Sequence, residues 1–289
     1  MAGYPPGLVL GRQVTLGTLQ LGQVDAAGVA WTVAKDGLEG WSGAGVRSQY
    51  SDREADHGAW AGKTYLGTRV ITVAGTIAAP DLATLDAAVD QLDAAASLTD
   101  TLLTVAETAP KQVTVRRSGA PLVKYETDRV ARYSVMLTAA DPRRYSTTLQ
   151  SASVGLPAAG SGVTLPITLP LTIPAGSSSG TVTLTNAGSI GARPLFVITG
   201  PLPGFTLTAQ YPDSTVRQLI YSDTLGAGDL LAIDTDAHSV LLNGTGSRRR
   251  YMSGQWPEVP PRQTVTFAWS STGSDPTALM TASMRSAWM

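Results

Sequence analysis

The chain has 289 residues, 43% of them hydrophobic and only 15% charged, and it contains no cysteine. This length accommodates about two domains, and the hydrophobic content is too high for an intrinsically disordered protein. The absence of cysteine excludes disulfide scaffolds, thiol nucleophiles and the usual structural zinc sites, while a net charge of −1 argues against a protein that binds nucleic acid by neutralising phosphates.

The first half of the chain, residues 1–150, predicts β-strands around one helix. Hydrophobic and polar residues alternate over residues 69–77, 113–115 and 132–138, and a period of two is typical of strands with one buried face. The positions predicted to face the core are Ile71, Val73, Ile77, Val113, Val115, Tyr133, Val135 and Leu137.

Between these strands, residues 81–97 predict an amphipathic helix. Its apolar residues recur at alternating spacings of three and four, which places them on one helical face. Asp81 is the predicted N-cap, because its carboxylate can accept hydrogen bonds from the free N–H groups of the first turn. The predicted core face consists of Leu82, Leu85, Val89, Leu92 and Ala96.

A long segment without charge separates the two halves of the chain. No charged residue occurs between Arg144 and Arg193, and prolines and hydroxyl side chains interrupt the segment, so it does not predict a membrane helix. We interpret residues 151–180 as a linker with some extended structure. With no signal-peptide pattern, the protein is expected to be made in the cytoplasm and not to insert into a membrane.

The second half, residues 181–289, predicts an antiparallel β-sandwich. Short apolar stretches are separated by turn signals such as Asn186-Ala187-Gly188 and Asn243-Gly244, and this pattern is typical of sandwiches and jelly rolls. The predicted strands are residues 181–185, 195–199, 205–210, 216–221, 230–234, 239–242, 264–269 and 279–288.

Candidate catalytic and metal-binding residues are sparse. The two histidines, His57 and His238, stand in no nucleophile pattern, and a metal site would require them to converge from different halves. Residues 234–236 carry an Asp-x-Asp without the spacing or glycine of a calcium loop, and residues 40–45 lack the Lys-Ser/Thr of a phosphate loop. We therefore predict no catalytic residue, cofactor or metal. A glycosidase with paired catalytic carboxylates remains an open alternative.

Two features of the second half suggest contacts with other molecules. Arg249 lies in the basic run Arg248-Arg249-Arg250 beside Tyr251. Such a run is compatible with a contact to phosphate or to an acidic partner, and also with a solvated loop. Trp256 suits either stacking on a sugar ring or packing in the sandwich. Trp256 and Arg249 are therefore the candidate contacts to a glycan or partner.

The order of segments along nearly the whole chain resembles the distal tail proteins of long-tailed, non-contractile bacteriophages. The most specific segment is an alternating strand that ends in Asp141-Pro142-Arg143-Arg144-Tyr145. The matching segments are residues 11–17, 57–58, 65–77, 81–97, 133–145, 180–188, 193–202, 227–235, 241–244, 256–267 and 285–288. The family-signature positions are Gly75, Asp141, Pro142, Tyr145, Asn186, Gly228, Asp229, Asn243 and Gly244.

This resemblance implies a mainly β protein with an N-terminal split-barrel domain carrying one helix and a C-terminal galectin-like sandwich. It also implies a structural role in the virion: a hexameric ring at the tail tip that joins the tail tube protein to the tail-tip hub or fibre protein, with DNA passing through the lumen without specific binding. One departure is Pro260-Pro261-Arg262-Gln263, where the family commonly has Pro-Gly-x-Asn before the last long strand.

Two alternatives remain at this point. The main one is a carbohydrate-binding module that attaches to a host-surface glycan, favoured by the sandwich and its tryptophans. The other is an enzyme of the glycosidase or peptidase type.

Overall fold

A computed structural model describes residues 5–157, 179–273 and 275–289 and divides the chain into two compact units. The first unit runs to Thr147 and includes Met289, and the second runs from Thr148 to Trp288. In the part of the predicted linker that is described, residues 150–155 form a strand of the second unit, and residues 158–178 lie outside the described residues. Across the described ranges, no helix has the length and apolar character of a membrane span.

The first unit is a closed antiparallel β-barrel with one α-helix. Its strands pair in the order β12-β8-β3-β2-β1-β9-β10, and β10 pairs again with β12, which closes the sheet. The elements are β1 (Val9–Leu16), β2 (Leu19–Val24), β3 (Ala30–Glu39), β4 (Val46–Arg47), β5 (Tyr50–Asp52), β6 (Ala59–Ala61), β7 (Tyr65–Leu66), β8 (Arg69–Ala78), α1 (Leu82–Ala95), β9 (Thr101–Val105), β10 (Lys111–Arg117), β11 (Leu122–Thr127), β12 (Val130–Ala139) and β13 (Arg144–Ser146).

The barrel core is formed by the alternating residues of its strands and by one face of α1. Every strand position predicted to face inward is buried. Asp81 caps the helix as predicted, since its Oδ1 accepts a hydrogen bond from the Thr84 amide at 2.9 Å. The helix buries Leu85, Ala88 and Leu92, whereas Leu82 in the first turn is exposed. The buried face therefore begins one turn later than the spacing predicts.

Strands β3 and β8 lie in close contact at Gly75. The buried Tyr133 hydroxyl donates to the Thr32 carbonyl oxygen at 2.8 Å, and burial raises the pKa of Tyr133. A methyl group on Gly75 would lie 1.9 Å from that carbonyl oxygen and 2.8 Å from the Tyr133 hydroxyl. The position therefore has no room for a larger residue.

The second unit is a sandwich of two antiparallel sheets, as predicted. One sheet has the order β14-β24-β16-β19-β20-β21 and the other β15-β23-β17-β18-β22. The strands are β14 (Gln150–Gly155), β15 (Thr181–Asn186), β16 (Leu195–Thr199), β17 (Phe205–Gln210), β18 (Val216–Tyr221), β19 (Leu230–Asp234), β20 (Ser239–Leu242), β21 (Gly246–Ser247), β22 (Met252–Gly254), β23 (Gln263–Ser270) and β24 (Leu279–Met284), with a 3₁₀ turn at Arg249–Tyr251. The short strand β25 (Ala287–Trp288) belongs to neither sheet of the sandwich.

Asn186, at the end of β15, joins three segments of the sandwich. Its Nδ2 donates to the carbonyl oxygens of Ile190 and Val259 at 2.7 and 3.0 Å. Its Oδ1 accepts from the amides of Gly188 and Ala287 at 2.9 and 3.2 Å. The residue is fully buried, so its amide group supplies the hydrogen bonds that water would otherwise make.

We expect Gly75→Ala to destabilise the protein by about 1–3 kcal/mol, because the added methyl group forces β3 and β8 apart. The measurement is the midpoint of urea unfolding. Gly119→Ala is the matched control, since no atom lies within 4 Å of the added carbon there. Equal midpoints for the two variants would contradict the close approach.

We expect Asn186→Ala to lower the free energy of unfolding by about 3 kcal/mol, because the amides of Gly188 and Ala287 and the carbonyl group of Ile190 lose the hydrogen bonds that this side chain makes. Thermal unfolding followed by tryptophan fluorescence measures the effect. Gln255→Ala is the control, since Gln255 is exposed. A loss no larger than that of the control would show that the Asn186 bonds contribute little.

Candidate interaction surfaces

The predicted Asp-Pro-x-x-Tyr signature forms a turn that folds on itself. The Arg143 amide donates to Oδ1 of Asp141 at 3.1 Å, and the Tyr145 hydroxyl donates to Oδ2 at 2.5 Å. The carbonyl oxygen of Pro142 accepts from Nε of Arg69 at 2.7 Å. The signature therefore has a structural role, which is to hold a carbonyl group against Arg69.

Arg69, the first residue of β8, is fully buried. Its Nη1 donates to the carbonyl oxygens of Gly40 and Trp41 at 3.0 and 2.7 Å. Burial and the nearby charge of Arg144 lower the pKa of Arg69 to about 10, while Asp141 acts in the opposite direction. Within the described part of the chain Arg69 forms no ion pair, so carbonyl oxygens provide its direct contacts.

Trp41, whose carbonyl oxygen accepts from Arg69, is also held by the carboxylate of Glu107. Its indole Nε1 donates to Oε1 of Glu107 at 2.5 Å, and the guanidinium of Arg144 lies 5.4 Å from the indole centroid. Glu107 also pairs with Lys111. Desolvation raises the pKa of Glu107, but the hydrogen bonds from Lys111 and Trp41 outweigh it, so the pKa lies below its ordinary value.

Between Trp41 and Arg69 the chain forms a two-stranded arm outside the barrel sheet. β4 pairs with β7 and β5 pairs with β6. A two-stranded hairpin is marginally stable alone. Tyr50 stands opposite Ala61 and Trp60 opposite Ser51, so the two aromatic side chains lie on opposite faces of the arm. The arm's exposed residues are Val46 (64%), Tyr50 (66%), Trp60 (66%) and Tyr65 (57%).

Sequence reasoning missed the arm as a structural element. Residues 57–58 and 65–68 were identified only through the family resemblance, which also implied a hairpin at residues 11–17, and no strand of the arm was predicted from the residues themselves. The available signal was two aromatic residues, Tyr50 and Trp60, on either side of the charged segment 52–56. Such spacing is compatible with a hairpin but does not predict its exposure.

In the second unit, Asp229 and Asn243 tie two turns together. Nδ2 of Asn243 donates to Oδ1 of Asp229 at 3.0 Å, and Oδ1 of Asn243 accepts from the Leu230 amide at 2.9 Å. Gly228 and Gly244 have φ values of 82° and 75°, which L side chains rarely adopt. These four signature positions are therefore turn anchors in the structure.

The structure brings the candidate contacts Trp256 and Arg249 together. The guanidinium carbon of Arg249 lies 5.0 Å from the Trp256 ring centroid, and the His238 ring stacks on the same indole at 4.7 Å. These groups occupy indole surface that a sugar ring would need for stacking. The arrangement therefore favours recognition through charge over stacking on a sugar.

The two histidines lie in different units, His57 in the arm and His238 in the sandwich. Among residues 5–157, 179–273 and 275–289, no group of three or more His, Asp and Glu side chains is placed to hold a metal ion. The polar clusters around Arg69 and Asn186 consist of structural hydrogen bonds.

Comparison with known proteins supports the fold. No protein-family model and no curated protein sequence matches the chain. The crystal structure of the SPP1 Dit (gp 19.1) protein, described as a paradigm of the hub adsorption apparatus in phages that infect Gram-positive bacteria, matches with a TM-score of 0.61 at 9% identity. The match covers 96% of this chain and 99% of that one.

A chain of the phage P2 baseplate in its activated conformation with Ca also matches, at a TM-score of 0.45 and 10% identity over 91% of this chain and 99% of that one. A TM-score of this size does not establish a common fold. The match to the SPP1 protein extends over almost all of both chains, and the chain therefore has the fold of the SPP1 distal tail protein.

Proposed function

We propose that this chain is a structural protein of a phage tail tip, where six copies form a closed ring that joins the tail tube to the tail-tip hub or fibre protein. The observation that carries the proposal is the likeness to the SPP1 Dit protein over 96% of this chain, which includes both units. That protein is a hub component of an adsorption apparatus.

The arm supports the ring part of the proposal. In a cyclic ring of identical copies, each copy contacts its neighbours through two different surfaces. The arm carries exposed aromatic residues on a hairpin that contributes no side chain to the barrel core cluster. Contact with a neighbouring copy would bury these residues, and we assign the arm as one of the two surfaces.

The charge of the chain supports passage of DNA through the ring. With 21 basic and 22 acidic residues, the chain has no net attraction for a polyanion. A strongly basic lumen would bind phosphates and retain the DNA. The role proposed is structural, with no catalytic step. The carbohydrate-binding alternative lacks similar support, because His238 and Arg249 already contact the Trp256 ring.

Light scattering and electron microscopy of the purified chain test the proposal. We expect a species with the mass of six copies of the 30.0 kDa chain and class averages showing a ring with a central hole. The assay is repeated with the tail tube protein present, so that a ring that needs the tube as a template is also detected. Monomers under both conditions would refute the ring.

We expect Trp60→Ser and Tyr50→Ser to weaken ring formation while leaving the monomer folded, because both side chains are 66% exposed in the single chain. Loss of a buried aromatic contact weakens an interface by about 2 kcal/mol. Leu98→Ser is the matched control, since Leu98 is 72% exposed but lies outside the arm. Rings that form equally well in all three variants would exclude the arm from the contact.

A further inference from the structure

We propose that the sandwich unit carries a binding site for a polymer with repeated phosphate groups, built from arginines stacked on aromatic rings. This site is separate from the arm and does not depend on ring formation. We call it the Arg-aromatic cluster, and its members are Arg217, Arg249, Arg250, Tyr211, Trp256 and Tyr251.

Each arginine of the cluster lies over its own aromatic ring. The distance from guanidinium carbon to ring centroid is 5.2 Å for Arg217 over Tyr211, 5.0 Å for Arg249 over Trp256 and 4.5 Å for Arg250 over Tyr251. Contacts of this kind restrict the motion of a guanidinium group. Nη1 of Arg249 also donates to the Met252 carbonyl oxygen at 2.8 Å and Nη2 of Arg250 to the Tyr251 hydroxyl, so the remaining N–H groups are the ones that can donate to a ligand. The cluster is thus pre-organised for anions.

Contacts with Trp256 and adjacency in the chain link the three arginines. Nη1 of Arg217 donates to the Trp256 carbonyl oxygen at 3.4 Å, so Arg217 and Arg249 contact the same residue. Arg249 and Arg250 are adjacent in the 3₁₀ turn that leads into β22, the strand that pairs with β18. Positive charge is therefore concentrated at this edge of the sheet.

Acidic residues do not neutralise this charge. Over the described ranges, none of the three arginines forms an ion pair, whereas Arg193 pairs with Asp236 at 2.5 Å. Arg248, the neighbour in sequence, lies 3.5 Å from Asp223. Hydrogen bonds from Thr215 and, to a smaller extent, the charge of Arg217 lower the pKa of Asp213, so this acid interacts with Arg217 without forming an ion pair with it.

The chemistry of the cluster favours phosphate over carboxylate. A carboxylate has two oxygens and one charge, and a single bidentate guanidinium satisfies it. A phosphate offers more acceptor oxygens, so neighbouring guanidiniums can share it. Three nearby cations repel one another. A polymer with repeated phosphates offsets this repulsion more completely than a single anion does.

Linear inorganic polyphosphate, titrated into the full chain at low salt, is the probe. We expect binding that weakens as salt increases, and affinity about tenfold lower in Arg249→Gln and in Arg217→Gln, because each loses a charged hydrogen-bond donor. Arg249→Lys is expected to lose affinity similarly, since lysine retains the charge without the planar fork. Circular dichroism establishes that each variant is folded.

Arg193→Gln is the matched control, because it removes an arginine of the same unit that is already paired. We expect its affinity to stay within about twofold of that of the unaltered chain. The proposal is overturned if polyphosphate does not bind the folded chain, if Arg193→Gln weakens binding as much as Arg249→Gln, or if Arg249→Lys binds normally. Equal binding of poly-L-glutamate would assign the cluster to an acidic protein segment and would overturn the proposal too.

Discussion

The barrel unit depends on the buried guanidinium of Arg69. A buried cation that forms no ion pair is unfavourable unless hydrogen bonds replace its hydration. The carbonyl oxygens of Gly40, Trp41 and Pro142 provide these bonds for Nε and Nη1, whereas Nη2 is buried without a partner among the described residues. They come from the end of the arm that follows β3 and from the turn after β12, and Arg69 itself begins β8. One side chain thus fixes both ends of the arm and the signature turn, which explains why an Asp-Pro turn occurs beside an arginine far away in sequence.

The sandwich unit uses amide and carboxylate side chains for the same purpose. Asn186 holds three segments with five hydrogen bonds, and the pair Asp229 and Asn243 joins two turns. Amide side chains combine donors and acceptors, so they can satisfy backbone groups of both kinds at once. These contacts account for the signature positions in the second unit without assigning any of them to ligand binding.

Local patterns predicted much of the fold. The alternation at residues 69–77 and 132–138 gave the two strands β8 and β12, and the capped helix lies where its spacing indicates. Features that depend on distant contacts were not predictable in this way. In the sequence, Arg69 is an ordinary charged residue at the start of a strand. Its burial depends on the folded chain, which places beside it a carbonyl group 73 residues away. The stacking of Arg217 on Tyr211 and of Arg249 on Trp256 likewise requires the folded sandwich. The strand at residues 150–155 was not predicted, because it is identified as a strand only by its pairing with β24.

The composition of the arm has a consequence for the free subunit. A two-stranded arm has unpaired backbone groups along its edges, and such edges favour uncontrolled pairing between chains. Here the aromatic positions are interrupted by charge: Arg53 lies 4.5 Å over the Trp60 ring, and Asp52 and Asp56 flank it. Charged residues in such positions act as gatekeepers that oppose aggregation. The charged residues at the tip of the arm therefore oppose uncontrolled pairing between free chains.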